Sequence, residues 1–319
     1  MTHTPNAQRG AAILTAMLTV VLVASLASAT LWQQWRSVEV EAAQRGRIQA
    51  AWILTGAQDW ARLILREDNR SPGGADYLSE PWAVPLEEAR LSTFLAADKK
   101  SQPDDDAVAS QTFLSGQITD LQARLNLTNL VDNDGKVSEP WLKTFVKLFQ
   151  MLSLPPAELQ ALAENLRTAL DASLDNAGAQ QAPLMPQRVD QLVWLGLSER
   201  SLSVLRPHIT LLPVRTPVNL NTASASILSA SVPSLDLAQA QRLVNVRQAS
   251  HFKTLADAAA QMGQMTVPLS DTQHAVSSRF FEVRGRLRMD QAVVEEHSVV
   301  QRDGLDVKTL WRDRGSVRR

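Results

Sequence analysis

The sequence contains no cysteine among its 319 residues. It can therefore form neither a disulfide nor a thiolate zinc site, and it offers no cysteine nucleophile and no lipoprotein cysteine. It also lacks an excess of either charge, because 32 lysines and arginines face 33 aspartates and glutamates, which leaves a net charge of −1. No overall basic excess is available to recruit nucleic acid or anionic lipid. With 45% apolar residues the composition is that of a globular chain, long enough for two domains.

Motifs with a known chemical mechanism are also missing from the sequence. The five histidines, His3, His208, His251, His274 and His297, are scattered, and none has the spacing of a paired metal ligand. No GxSxG, Walker or dinucleotide-binding motif occurs. We therefore predict that the chain is not an enzyme, and we assign no catalytic and no cofactor-binding residue. A hydrolase with a dispersed catalytic triad stays open, because such a triad leaves no local motif.

The sequence does contain a long uncharged apolar run, residues 11–32, directly after Arg9-Gly10. A helix of about 22 residues spans ~33 Å, enough to cross a hydrocarbon core of ~30 Å. Three interpretations stay open on these residues alone. The run is the core of a secretory signal peptide cleaved after Ala29, or a signal anchor with Arg9 on the cytoplasmic side, or a helix kept after a type IV prepilin leader is cut between Gly10 and Ala11. All three send the rest of the chain across the inner membrane.

The helical pattern continues beyond this run. Apolar residues recur at helical spacing at Ala50, Ile53, Ala57, Trp60 and Ile64. We predict one helix from about Ala11 to about Leu65, whose second half packs on a soluble domain. The segment 68–74, which contains Ser71-Pro72-Gly73-Gly74, ends this helix.

The remaining sequence predicts strands around a block of short helices. Polar and β-branched residues predict a strand over 112–130. Helical periodicity runs from about 138 to 262, with Ser198 placed to cap one of the helices. From Phe281 the period is two, and Asp303-Gly304 predicts a hairpin between the last two of three strands. The fold class is therefore α+β, with a large all-α insert that resembles SAM-like or helix-hairpin-helix domains.

For three polar features of the sequence, we favour an ordinary structural interpretation over a binding site. Asp132-Asn133-Asp134-Gly135 is a turn, because in the EF-hand register its first and twelfth ligands would be Leu130 and Trp141. For Glu295 and Glu296, a solvated hairpin face is favoured over a cation site. A frayed, solvated tail is favoured for the basic residues Arg312, Arg314, Arg318 and Arg319.

The turn Val232-Pro233-Ser234-Leu235 lies in the helix-hairpin-helix-like part of the insert. Domains of this form often grip DNA, which needs a glycine-rich hairpin whose backbone N–H groups meet phosphate. This turn has no glycine, and Pro233 removes a donor. We therefore predict a protein-packing module and no nucleic-acid partner.

Four segments together resemble the K-type minor pseudopilin of bacterial type II secretion (general secretion pathway protein K). They are the Arg9-Gly10 junction, residues 76–83 (DYLSEPWA), residues 118–130 (ITDLQARLNLTNL) and residues 217–224 (PVNLNTAS). No single motif is decisive, but the match covers nearly the whole chain in the right order. The resemblance favours the prepilin leader over a signal peptide or a plain anchor. It implies processing at Gly10 and Ala11, followed by methylation of the new amine.

The resemblance also implies a domain order. The leader is 1–10, and the transmembrane part of the N-terminal helix is 11–33. A pilin-like domain, with a helix and a small antiparallel sheet, takes residues 34–137 and the C-terminal strands at 269–319. The inserted helical domain is 138–268, in two subdomains of about 138–213 and 214–268.

The role and partners follow from the same resemblance. Such proteins sit at the tip of the periplasmic pseudopilus with the I- and J-type minor pseudopilins and other pseudopilins. They start its assembly and support export of folded proteins across the outer membrane. Prepilin peptidase is a further implied partner, as is a secretin or an exoprotein. The chain would pass once through the bacterial inner membrane, with its soluble domain in the periplasm. No cofactor is required, but relatives carry structural Ca²⁺ on the pilin-like domain, and the resemblance does not identify its ligands in this sequence.

Thr15 is the fifth residue after the implied cleavage site, where most pilins have glutamate. A carboxylate in the bilayer is costly and is offset by the N-terminal ammonium of a neighbouring subunit. The K class lacks this glutamate, so Thr15 suits a first or tip position; an ordinary membrane-helix threonine stays open. For contacts with partner pseudopilins, the candidates after the membrane segment are Ile53, Trp60 and Ile64.

Overall fold

The computed structural model describes residues 7–70, 73–93, 111–171, 182–262, 268–289 and 292–317. The start of the predicted leader, Ser71-Pro72 in the predicted helix end, and Arg318 and Arg319 lie outside this description. The chain divides into two compact units, Met1–Gly56 and Ala57–Arg319, which are described separately.

A single helix, α1 (Ala7–Asp68), contains the predicted membrane segment and continues beyond it. It starts and ends within a few residues of the predicted bounds. No proline interrupts it, and alanine and leucine, which favour helix, are frequent. From Gly10 onward it is long and apolar enough to cross a membrane.

In the second unit, the buried positions of α1 are Ala61 and Leu65, together with Gln58. The predicted apolar stripe through Trp60 and Ile64 is therefore wrong by one residue, since Trp60 is 51% exposed and Ile64 is only partly buried. The apolar residues of this segment form two adjacent stripes, and the stripe with the small Ala61 is the one that packs inward.

The second unit contains a five-stranded antiparallel sheet. In spatial order its strands are β1 (Leu86–Arg90), β2 (Thr112–Asp120), β7 (Phe280–Met289), β8 (Ala292–Asp303) and β9 (Asp306–Val317). One face packs on α1 and on Trp82 through Ile118, Phe281 and Val300. Gly304, with φ 59°, makes the turn between β8 and β9, which confirms the predicted hairpin.

The helical insert lies between β2 and β7 in the chain. Its helices are α2 (Glu139–Met151), α3 (Pro156–Asp171), α4 (Glu199–Leu205), α5 (Ala225–Ser231), α6 (Leu237–Ala249) and α7 (Leu255–Met262). The insert also contains two short pairs of parallel strands. In one, β3 (Leu125–Asn126) pairs with β4 (Ile209–Thr210); in the other, β5 (Val218–Asn219) pairs with β6 (His274–Ala275). The Ser198 hydroxyl accepts from the Ser201 N–H, which confirms the predicted cap.

The predicted strand over 112–130 is wrong in its second half, because β2 ends at Asp120. Short 3-10 turns, Leu121–Ala123 and Leu127–Leu130, follow on either side of β3. The side chains of Asp120 and Asn126 each accept a hydrogen bond from the N–H two residues on, and these local bonds turn the chain. Residues 125–131 supply leucines to the core of the insert, so that core begins before residue 138.

The predicted solvated hairpin face and frayed tail are wrong around Glu296. This carboxylate on β8 is fully buried, and Arg312 and Arg314 on the neighbouring β9 both pair with it. Successive residues of a strand point to opposite faces. Asp313 accordingly pairs elsewhere, with Arg188 of the insert at 2.9 Å. Ion pairs therefore fix the last strand on both faces.

Candidate functional site

The predicted processing residues lie in the first turns of α1. Gly10 and Ala11 are helical, and a Cβ added at Gly10 would meet nothing within 4 Å. The Thr15 hydroxyl donates to the carbonyls of Ala11 (3.1 Å) and Ala12 (2.9 Å). The hydroxyl is therefore satisfied within its own helix, which suits an apolar environment.

The predicted assembly residues differ in their exposure. Trp60 is half exposed, Ile64 packs against the core of its own sheet, and Ile53 is partly buried. Two exposed residues were missed: Trp52 in the first unit, 74% exposed, and Leu63 in the second, 40% exposed. Leu63 could have been found by helical spacing, because it lies opposite the buried Ala61 on the helix.

A buried carboxylate joins the sheet to the insert. Asp120 ends β2, and its Oδ2 accepts hydrogen bonds from Thr222 Oγ1 (2.6 Å), Ser278 Oγ (2.6 Å) and Asn219 Nδ2 (3.1 Å). Its Oδ1 accepts from the Gln122 N–H at 2.7 Å. Burial raises the pKa of Asp120, while these four donors favour the ionised form.

A second carboxylate, Asp76, continues this network. It accepts from the Ser278 N–H at 2.6 Å and pairs with Arg302 at 2.5 Å, and its backbone carbonyl accepts from Asn219 at 3.1 Å. Arg302, whose side chain is 5% exposed, also pairs with Asp68 at 2.7 Å. The end of α1, strand β8 and the second half of the insert are therefore tied together.

The three internal segments that carried the family resemblance meet in this network. Asp76 belongs to the first, Asp120 to the second, and Asn219 to the third. Sequence reasoning identified the segments but not their contact, because Asn219 is 143 residues from Asp76 and 99 from Asp120. We call these three residues, with Thr222 and Ser278, the junction.

Next to the junction, Asp68, Asp76 and Glu80 form a group whose ligand atoms lie within 4.8 Å of one another. Glu80 Oε2 accepts from the Tyr77 N–H (2.9 Å) and from Trp82 Nε1 (2.7 Å). Burial raises the pKa of Asp76 to about 6 and that of Glu80 to about 7. Arg302 neutralises part of the negative charge, but the group as a whole still favours an added proton or cation.

The donor chemistry of this acidic group fits a calcium ion. Calcium takes roughly six to eight oxygen ligands, often including carboxylates and waters. Asp68 Oδ1 and Glu80 Oε1 make no hydrogen bond within the described chain, whereas Arg302 engages the other oxygen of Asp68. A cavity of about 250 Å³, lined also by Gly73 and Gly74, adjoins the group and leaves room for water ligands.

The turn singled out in the helix-hairpin-helix-like unit contacts a lysine of the insert. Lys147 on α2 donates to the carbonyls of Val232 (3.3 Å) and Leu235 (2.8 Å). The turn therefore directs carbonyl oxygens toward α2 and packs the two subdomains of the insert on each other.

Comparison with known proteins finds similarity to one family. Two sequence models, both described as "Type II secretion system (T2SS), protein K", match residues 123–214 and 218–277. The chain is 28% identical to the type II secretion system protein K of Pseudomonas aeruginosa over 330 residues, which covers 97% of this chain and 93% of that protein. It is 26% identical to the protein of the same name from Klebsiella pneumoniae, with 97% of each covered.

The fold is also similar to a solved structure. The match is to a chain in the crystal structure of the GspK–GspI–GspJ complex from the type 2 secretion system of enterotoxigenic Escherichia coli. The TM-score is 0.63 at 20% identity, and the match covers 86% of this chain and 98% of that one. The arrangement of helix, sheet and helical insert is therefore shared.

Proposed function

We propose that this chain, which is similar over nearly its whole length to proteins named type II secretion system protein K, is the minor pseudopilin at the tip of the pseudopilus. It assembles there with I- and J-type minor pseudopilins, starts pseudopilus assembly and supports export of folded proteins across the outer membrane. The observation that carries this proposal is the full-length agreement with relatives named protein K, which covers 97% of the chain. The family is one of structural pseudopilins, and we propose no catalytic role.

Two features of the chain support a tip position. Thr15 puts no charge where a pilin glutamate would pair with a neighbouring subunit. The insert is also large, and pilin-type subunits stack with small axial steps. A domain of this size would collide with a subunit placed directly above it. Both features suit one copy at the end of the filament.

The membrane-length part of α1 supports the proposed location. The span is apolar, close to the N-terminus and preceded by Arg9. A basic residue before the first span favours a cytoplasmic N-terminus. We propose a single pass through the inner membrane, a periplasmic soluble domain, and cutting between Gly10 and Ala11 by prepilin peptidase.

A reconstitution experiment tests the proposed partners. Full-length chain, co-expressed with I- and J-type pseudopilins and purified in detergent, is expected to elute as one complex with one copy of each. Trp60→Glu is expected to weaken this complex about tenfold or more, because it puts a charge on a half-exposed aromatic residue of α1. The measurement is sizing chromatography with light scattering at micromolar concentration.

The matched control is Val204→Glu, which changes a 38% exposed apolar residue of the insert. It is expected to leave the complex intact. Three separate species for the unaltered chain would contradict the proposed function. Equal loss of the complex in both variants would contradict the contact through α1.

We also propose that Asp68, Asp76 and Glu80 hold a structural calcium ion. Adding calcium to chelator-treated protein at pH 8 is expected to raise the unfolding temperature by about 5 °C at roughly a hundredfold excess over Kd. Glu80→Gln is expected to remove most of this gain. The substitution keeps an acceptor for Tyr77 and Trp82 but removes the charge. Differential scanning fluorimetry measures the change.

The calcium effect is expected to depend on pH. The pKa values of Asp76 and Glu80 in the folded chain, about 6 and about 7, lie above those of the unfolded chain. The ion-free fold therefore loses stability as the pH rises from about 4 through these values. Calcium binds the ionised carboxylates, so its stabilisation should be large at pH 8 and small at pH 5.5. The control Glu87→Gln, exposed on β1, should behave like the unaltered chain; equal calcium responses in both variants would contradict the site.

A further inference from the structure

The chain enters and leaves the insert through two short crossings next to the sheet. The first follows Asp120 at the end of β2, and the second runs through Ser278 into β7. Two backbone crossings alone leave an inserted domain free to rock about them. Whether this insert rocks therefore depends on the non-covalent contacts at the junction.

We infer that the junction holds the helical insert and the pilin-like sheet together as one rigid body. The Asp120 carboxylate is the central hydrogen-bond acceptor of this junction. A single oxygen of Asp120 receives donors from both sides of the crossing. Thr222 and Asn219 belong to the insert, and Ser278 belongs to the segment that returns to the sheet. Rocking the insert would pull these donors away from a fully buried carboxylate.

Burial makes the hydrogen bonds to Asp120 hard to replace. Asp120 is 2% exposed and Asn219 is fully buried. Water cannot replace the lost donors there without opening the junction, and an ionised carboxylate without donors is far costlier to bury than an ordinary polar group. The arrangement in which Asp120 keeps its donors is therefore strongly favoured over one in which the insert is displaced.

Contacts on both sides of Asp120 restrict the remaining directions of movement. Gln122 donates to the carbonyl of Pro217 (3.1 Å) and accepts from the N–H of Arg279 (2.6 Å), so it bridges the two crossings. Tyr77, the residue after Asp76, stacks on His251 of the insert, with ring centroids 3.7 Å apart and ring planes at 8° to each other. These contacts oppose twisting as well as rocking.

The mechanical consequence rests on the proposed function. At a pseudopilus tip, an axial displacement of the pilin-like domain would reach the far end of the insert without being absorbed at a hinge. Whatever the insert contacts would then move with the filament.

The absence of cysteine makes the inference directly testable. Cysteines introduced at the exposed positions Gln241 on α6 and Lys308 on β9 would carry spin labels on the insert and on the sheet. For the full chain in detergent micelles, pulsed electron paramagnetic resonance is expected to give one narrow distance distribution. Asp120→Asn, which replaces an acceptor oxygen by a donor, is expected to broaden it roughly twofold.

A second variant keeps the test decisive if Asp120→Asn fails to fold. Thr222→Val preserves shape, removes one of the donors and is expected to give an intermediate broadening. The control is Asn129→Ala. Asn129 is fully buried, and among the described residues its side chain bonds within the insert, to the backbone of Thr216. It should lower stability and leave the distribution narrow.

Two outcomes would overturn the inference. One is a broad distribution in the unaltered chain, and the other is an unchanged narrow distribution in folded Thr222→Val and Asp120→Asn proteins. Neither readout depends on where the chain sits in a filament. A failure of the proposed tip position would therefore leave this result intact, and the reverse also holds.

Discussion

Gly10→Val in the full-length chain is expected to abolish removal of the leader. A glycine without a side chain lets a peptidase accept the scissile backbone closely, whereas a β-branched residue blocks that approach. The substitution should not disturb the chain itself, because a Cβ at Gly10 meets nothing within 4 Å. Mass spectrometry of the N-terminal peptide should find a chain that starts at Met1 instead of a methylated Ala11. Secretion should fall with processing.

The matched control is Gly46→Val, another helical glycine of α1 whose added Cβ would meet nothing within 4 Å. It should be processed normally. A mature chain that begins at Thr30, in either protein, would contradict the prepilin interpretation. It would support a signal peptide cleaved after Ala29 and a released periplasmic binding or hydrolytic protein.

Arg302→Met is expected to destabilise the soluble part of the chain by about 3–5 kcal/mol. The arginine lies between Asp68 and Asp76 with its side chain 5% exposed, and the substitution leaves two carboxylates without their cation. It also removes the guanidinium that lies over the Phe281 ring, 4.9 Å from its centroid. Chemical denaturation, followed by tryptophan fluorescence, to which the buried Trp82 contributes, measures the free energy of unfolding.

A surface pair on the next strand provides the comparison. Lys308→Met breaks an ion pair with Asp306 in which both side chains are more than half exposed, so it should cost less than about 1 kcal/mol. Adding Asp76→Asn to Arg302→Met should recover part of the loss, because one unpaired charge is then removed. Similar losses from Arg302→Met and Lys308→Met would show that the buried network does not stabilise the fold.

Periodicity and the long apolar run in the sequence were enough to predict most of the helices and strands. The long helix, the insert helices and the last three strands all follow from them. Strand β1 was missed because Leu86–Arg90 (LEEAR) is polar and poor in β-branched residues, and only its pairing with β2 makes it a strand. The end of β2 was missed because a side-chain cap, which leaves no periodic signal, turns the chain there.

The network around Asp120 could not be predicted in the same way. A single aspartate in a strand-like segment is typical of a turn or of a solvent-exposed site. Its burial depends on Ser278, 158 residues away, and on Asn219 and Thr222 of the insert, which are about 100 residues away. The raised pKa values of Asp76 and Glu80 likewise arise from burial by distant segments. Sequence alone offered only the order of the three motifs that meet there.

The pairing of β2 with β7 has a consequence for biogenesis. These two strands flank the whole insert in the chain, so the central pairing of the sheet is non-local. In the proposed periplasmic location, it cannot form until residues 121–279 have crossed the membrane. An unfolded loop of this length carries a large closure entropy. A folded insert removes most of it, because its own core brings the two crossings together. We therefore expect the insert to fold first during export and to act as the template on which the pilin-like sheet closes.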